Sequence, residues 1–140
     1  SRMVTLDGKK YLDGGISMPI AYERPMELGY DKIVLVLTRE QGYRKHQEGR
    51  WMKRAYDRYF APLPSLRQSL RDIPERYNRI QEELDRLEAE GRIFIIRPDH
   101  PVEVSRLEQD VHKIQALYDE GRRIALEQLP ALKNYLELPQ

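Results

Sequence analysis

The chain has no cysteine, which excludes disulfides, thiolate metal ligation and a cysteine nucleophile together. It also has almost no net charge: 24 Lys and Arg stand against 23 Asp and Glu, a balance of +1. Nothing in that balance calls for nucleic acid or a strongly acidic partner. No apolar run approaches the ~20 residues that a membrane-spanning helix needs, and no signal peptide opens the chain. The 8 glycines never gather into GxxxxGK[ST] or GxGxxG, so the phosphate-cradling loops of those motifs are missing. Ser1, Ser17, Ser65, Ser69 and Ser105 all lack the flanking glycines of a GxSxG elbow. His46, His100 and His112 show no metal-ligand spacing and no partner motif. No cofactor is implied, and the partner expected from composition is not nucleic acid.

What is present describes a soluble, helix-rich chain. Its 140 residues are 40% hydrophobic and 34% charged, enough for one domain that buries roughly two-thirds of its unfolded surface. Met3–Leu6 and Lys9–Leu12 flank Asp7-Gly8, a dipeptide suited to the positive φ angles of a tight hairpin turn. Pro19 fits the first turn of a short helix ending near Gly29, with Pro25 expected to weaken or kink it. Ile33–Leu37 is an unbroken apolar run that predicts a strand buried on both faces. Ile93–Ile96 predicts another short buried strand, after Gly91 ends the helix before it.

Between these strands, residues 47–60 predict a helix that buries Trp51, Met52, Ala55, Tyr56, Tyr59 and Phe60, ended by Pro62 and Pro64. Leu66, Leu70, Ile73, Tyr77, Ile80, Leu84 and Leu87 then recur at intervals of three and four, with Pro74 dividing or bending the helix. Ser105 and Glu108 have capping-box spacing. The helix expected after them buries Leu107, Val111, Ile114, Leu117 and Ile124 and breaks at Pro130. The alternation predicts an α/β fold with a short, mostly parallel sheet of strands near 3–6, 9–12, 32–38 and 92–97, followed by a helical C-terminal region. Two or three strands are few for so many helices. Together with the opening Ser1-Arg2-Met3-Val4, that shortage leads to the expectation of a piece of a longer protein.

Two stretches carry candidate chemistry. Asp13-Gly14-Gly15 follows a strand. It is either a plain turn or a carboxylate aimed into a cleft, with the glycines removing obstructing side chains. From Arg39 to Arg58, seven basic residues outnumber Glu40, Glu48 and Asp57, and Tyr43, Trp51, Met52 and Tyr56 are interleaved. Three readings remain open for this stretch: a solvated amphipathic helix with core aromatics, an anionic lipid contact, or a nucleic-acid backbone contact. The lipid reading names Arg44, Lys45, Arg50, Trp51, Lys53 and Arg54.

The ordered series KKYLDGGISMPI, LGYDKIVLVLTR and GYRK resembles the C-terminal half of the catalytic domain of bacterial patatin-like phospholipases. FIIRPDHPVEVSRLEQD and LYDEGRR resemble the helical region that follows it in one bacterial subgroup. The resemblance implies a three-layer fold and lipid acyl ester hydrolysis by a serine–aspartate dyad. It assigns residues 1–60 to the end of the catalytic domain and 61–140 to the region after it. By its DG[GA] motif, Asp13 is the general base, and Gly14 and Gly15 are the motif glycines. The GxSxG serine and the glycine-rich oxyanion loop of the family have no counterpart here. The missing N-terminal part of the same protein is thus an expected partner, beside a lipid or other ester substrate. The chain alone is expected to be inactive and to self-associate, and the protein to be cytoplasmic or membrane-peripheral. The alternative is a non-catalytic lipid-surface or protein-interaction module built on residues 39–60.

Overall fold

A computed structural model describes residues 3–47, 49–105 and 107–138. Ser1 and Arg2 of the opening and Glu48 of the basic segment lie outside them. The fold is mixed α/β. Its elements are β1 (Val4–Leu6), β2 (Lys9–Tyr11), a 3₁₀ turn (Gly14–Ile16), α1 (Glu23–Glu27), β3 (Val34–Val36), α2 (Arg50–Tyr59), α3 (Pro64–Arg71), α4 (Ile73–Ala89), β4 (Phe94–Ile96) and α5 (Val111–Tyr135). The chain forms two compact units, Ser1–Ala21 with Arg44–Ile80 and Tyr22–Tyr43 with Gln81–Gln140. These units interleave along the chain, whereas a division after residue 60 is sequential.

The expected single sheet is not formed among the described residues. β1 and β2 make an antiparallel hairpin, and β3 and β4 make a separate parallel pair. The hairpin turns as Asp7-Gly8 predicts, with φ of 49° and 74°, the positive pair of a type I′ turn. Its register sets Val4 opposite Tyr11 and Leu6 opposite Lys9, and all six strand residues are exposed.

The first unit is held mainly by polar anchors. Of its side chains, Met52, Tyr56 and Phe60 on α2 and Leu66 and Leu70 on α3 are only half-buried. Trp51 and Tyr59, expected in a core, are 71% and 76% exposed. Asn78 brackets the backbone of Lys45, accepting its N–H at 2.8 Å and donating to its carbonyl at 3.2 Å. The helix expected from Leu66 to Leu87 divides at Asp72, so that Pro74 enters α4 in its first turn, where a missing N–H costs nothing.

The second unit contains the apolar core: Tyr22, Ile33, Leu84, Leu87, Ile93, Ile95 and Ile124. Leu84 and Leu87 come from the C-terminal half of α4, which ends as the Arg92 N–H returns to the Leu87 carbonyl at 3.0 Å beyond Gly91. β3 and β4 pair from Val34–Phe94 to Val36–Ile96, and α5 packs on β4. Only one face of β3 is covered: Ile33 is buried while Val36 is 73% exposed. The unbroken apolar run was expected to be buried on both sides. A two-stranded sheet with one covering layer cannot bury both.

The proline and capping expectations also change. Pro19 precedes the helix, and Pro25 is the third residue of α1, where no intrahelical N–H is required. The cap of α5 is Asp110, which accepts the His112 N–H at 2.9 Å. Glu108 instead accepts the N–H groups of Asp110 and Gln109, which hold its carboxyl below the usual carboxylate range. Val111 and Ile114, expected in the core, are 72% and 47% exposed, as is Leu107 before them at 87%. α5 runs through Pro130 to Tyr135. Pro130 and Leu126, whose carbonyl loses its usual donor, are both exposed, where solvent is at hand to compensate.

Two polar anchors complete this unit. Arg97, buried, donates to Asp85 at 2.8 Å and to Glu88. Tyr135, at the end of α5, accepts the Ile33 N–H at 3.0 Å and donates to the Arg92 carbonyl at 3.0 Å, tying the starts of both strands to the helix. Its ring lies 5.7 Å from Phe94. Tyr135→Phe keeps the ring and removes the oxygen, leaving the buried Ile33 N–H without that acceptor. The expected loss is about 1–3 kcal/mol, read as a lower urea midpoint with an unchanged slope. An unchanged midpoint would show that water replaces the hydroxyl.

Candidate functional site

Asp13 stands two residues beyond β2, exposed, at the N-cap of the 3₁₀ turn. Its Oδ1 accepts the Gly15 N–H at 2.8 Å, the usual way a short carboxylate closes a turn. The Gly14 carbonyl accepts the N–H groups of Ser17 and Met18 and the Ser17 hydroxyl. Arg76, half-buried on α4, fixes this turn from behind. It donates to the Ile16 carbonyl at 2.7 Å, the Ser17 carbonyl at 3.0 Å and the Ser69 carbonyl of α3 at 3.1 Å. Arg76 was not foreseen. In the sequence it is one of several arginines on a helix rich in acids and bases, and nothing there separates it from its neighbour Arg79.

The two motif glycines, equal in the sequence, have different surroundings. A Cβ on Gly14 would meet nothing within 4 Å, but one on Gly15 would lie 3.2 Å from Asp13 Oδ1. Gly15 therefore gives the carboxylate its position, and Gly14 does not.

The basic segment separates into two groups. Arg50, Trp51, Arg54, Ala55, Arg58 and Tyr59 are exposed on α2. Along the length of α2 this face gathers three arginines and two large aromatic rings. Asp57 points elsewhere, pairing with Arg71 at 2.6 Å. Lys45 and Lys53 do not join that face. They line a cavity of about 80 Å³ together with Arg67, Arg71, Leu70 and Pro74. Lys53 donates to Gln47, and the Lys45 ammonium lies 5.8 Å from the centre of the Tyr77 ring. Arg44 is half-buried. The six residues expected to share one lipid contact are thus not one surface.

The family described as "Domain of unknown function (DUF6363)" matches residues 63–137. The chain belongs to the DUF6363 family. No curated protein and no solved structure matches it. The DUF6363 segment contains Arg67, Arg71 and Arg76, whereas Asp13 and the exposed face of α2 precede it. Among the described residues, no three His, Asp or Glu side chains gather as a metal ion would require. No helix among them is long and apolar enough to cross a membrane.

The unequal glycines have a measurable consequence. Gly15→Ala is expected to displace the Asp13 carboxylate and weaken its cap, lowering stability by about 1 kcal/mol. Gly14→Ala, at a φ any residue adopts, should be neutral or stabilising by about 0.4–1 kcal/mol. The carboxyl ¹³C resonance of Asp13 should move in the first variant and hold in the second. Equal responses would refute the distinction.

Proposed function

We propose that the chain is part of a patatin-like lipid acyl ester hydrolase and supplies its dyad aspartate, Asp13, to a serine carried by sequence outside these residues. The observation that carries this reading is the Asp13-Gly14-Gly15 turn: an exposed carboxylate at the end of a hairpin, held by Gly15 and fixed from behind by Arg76. A general base must be within hydrogen-bond reach of its proton and hold its orientation. In the proposed reaction, the serine hydroxyl attacks the ester carbonyl as Asp13 takes its proton. The tetrahedral oxyanion then expels the alcohol, which takes that proton from Asp13. Water, deprotonated by the same carboxylate, releases the fatty acid and restores the serine. Residues 1–60 would complete a three-layer catalytic domain and 61–140 would follow it. The DUF6363 match begins at residue 63, close to that boundary.

A second reading has its own support. The exposed arginines of α2 beside Trp51 and Tyr59 suit an anionic lipid surface, since arginine attracts the headgroups and the rings sit at the interface. The two readings are compatible: an enzyme acting on lipid has to reach a lipid surface, and we place this one at a cytoplasmic, membrane-peripheral position. The hairpin, with Val4 63%, Leu6 61% and Tyr11 50% exposed, offers an apolar strand pair to the remainder of the protein. In its absence, that pair favours self-association of the 140-residue chain.

The deciding experiment compares a longer protein carrying an upstream GxSxG serine with its Asp13→Asn variant. Asparagine still accepts the Gly15 N–H, so folding should be unchanged while p-nitrophenyl ester hydrolysis falls at least ~100-fold, the scale of a lost general base. An unchanged rate would remove Asp13 from the mechanism. The 140-residue chain by itself should show no turnover above buffer, and light scattering over a dilution series should show a concentration-dependent mass. Turnover by the isolated chain, or a monomer at every concentration, would contradict the corresponding part of the proposal.

A further inference from the structure

Among the described residues, the cavity beside α2 is lined by more cationic than anionic side chains. Lys45, Lys53, Arg67 and Arg71 line it, and Asp57 is the carboxylate among those lining residues. Asp57 is taken by Arg71 at 2.6 Å. Lys53 is bonded to the neutral Gln47 side chain, and Lys45 faces the Tyr77 ring. Arg67 has no carboxylate partner among the described residues, and its Nε is buried with no hydrogen-bond partner among them. A buried guanidinium donor without an acceptor is costly, and the cost is removed when an anion accepts from it.

We propose that this cavity is an anion site that takes a phosphate group, with Arg67 as its principal donor and Lys45 and Lys53 supplying the remaining charge. The volume of about 80 Å³ exceeds the ~10–15 Å³ that one water needs, so the cavity has room for a small polar group. Tyr56, Leu70, Ile73 and Pro74 on the same wall provide apolar surface for the organic part of a phosphoester. The wider depression of about 370 Å³ that shares Lys53 and Arg71 with the cavity adds Asp72 and Glu75. Those carboxylates repel an anion, so the phosphate belongs at the Lys45–Arg67 end. The site does not depend on Asp13 or on ester hydrolysis. Its phosphate is either free or the headgroup of a lipid.

The test uses the 140-residue chain with inorganic phosphate, sn-glycerol 3-phosphate, and vesicles of phosphatidylglycerol or phosphatidylcholine. Phosphate should raise the melting temperature beyond chloride of equal ionic strength, as binding to the folded state requires. Arg67→Gln should weaken calorimetric binding of both phosphates at least ~10-fold, the scale of one charge-assisted hydrogen bond. Arg79→Gln, which removes an equal charge from an exposed position of α4 that does not line the cavity, should change it less than twofold. Without phosphate, Arg67→Gln should melt no lower than wild type, because it removes a charge rather than a contact. Release of the wild type from phosphatidylglycerol vesicles by glycerol 3-phosphate, and weaker vesicle binding by Arg67→Gln, would assign the site to a headgroup. Phosphate binding in solution with vesicle binding indifferent to Arg67 would assign it to free phosphate. No phosphate-specific stabilisation in the wild type, or equal affinity in wild type and Arg67→Gln, overturns the proposal.

Discussion

Arg76 donates from one guanidinium to three backbone carbonyls, those of Ile16, Ser17 and Ser69, and so satisfies groups at the ends of two short helical segments that have no partners of their own. Asn78, two residues further along α4, does the same for Lys45. The first unit depends on these brackets because it lacks what usually does such work: the large apolar side chains that are fully buried belong to the second unit. Hydrophobic attraction has no direction, whereas a bracket of hydrogen bonds fixes the segments it joins to within a few tenths of an ångström. A turn that must hold a carboxylate in place is well served by the second kind of support.

The same scarcity of core shapes the basic segment. With no deep apolar layer to cover, α2 leaves Trp51 and Tyr59 on the outside with Arg50, Arg54 and Arg58. Its half-buried side mixes Met52 and Tyr56 with Lys53 and the Asp57–Arg71 pair. One helix therefore presents exposed arginines and aromatic rings on one side and cationic cavity-lining side chains on the other. In the second unit specific polar anchors add to the apolar core. Tyr135 joins the end of α5 to the starts of β3 and β4, and Arg97 joins β4 to α4.

Much of the element order was legible because it rests on local rules. Asp7-Gly8 takes the turn its positive φ angles favour. The spacing from Leu66 to Leu87 marks two helices that divide beside Pro74, and Gly91 ends the second of them. The errors concern burial and caps. Periodicity in α5 shows which residues share a face but not whether anything covers it, so Val111 and Ile114 remain exposed. The spacing of Ser105 and Glu108 fits a capping box, but Asp110 lies closer to the helix and takes the cap. Pro130 was expected to end α5, yet it sits on an exposed face and the helix continues through it to Tyr135.

The amino-acid sequence by itself determined the elements, the hairpin turn, the lack of thiol chemistry and the candidacy of Asp13, because each depends on residue types and their spacing along one short stretch. Only the tertiary structure separated Gly15 from Gly14, drew Arg76 behind the turn and divided the basic segment into an exposed face and a lined cavity. It also left β3 covered on one side. Those distinctions depend on which distant residues lie within a few ångströms of one another, and spacing along the chain does not encode that distance.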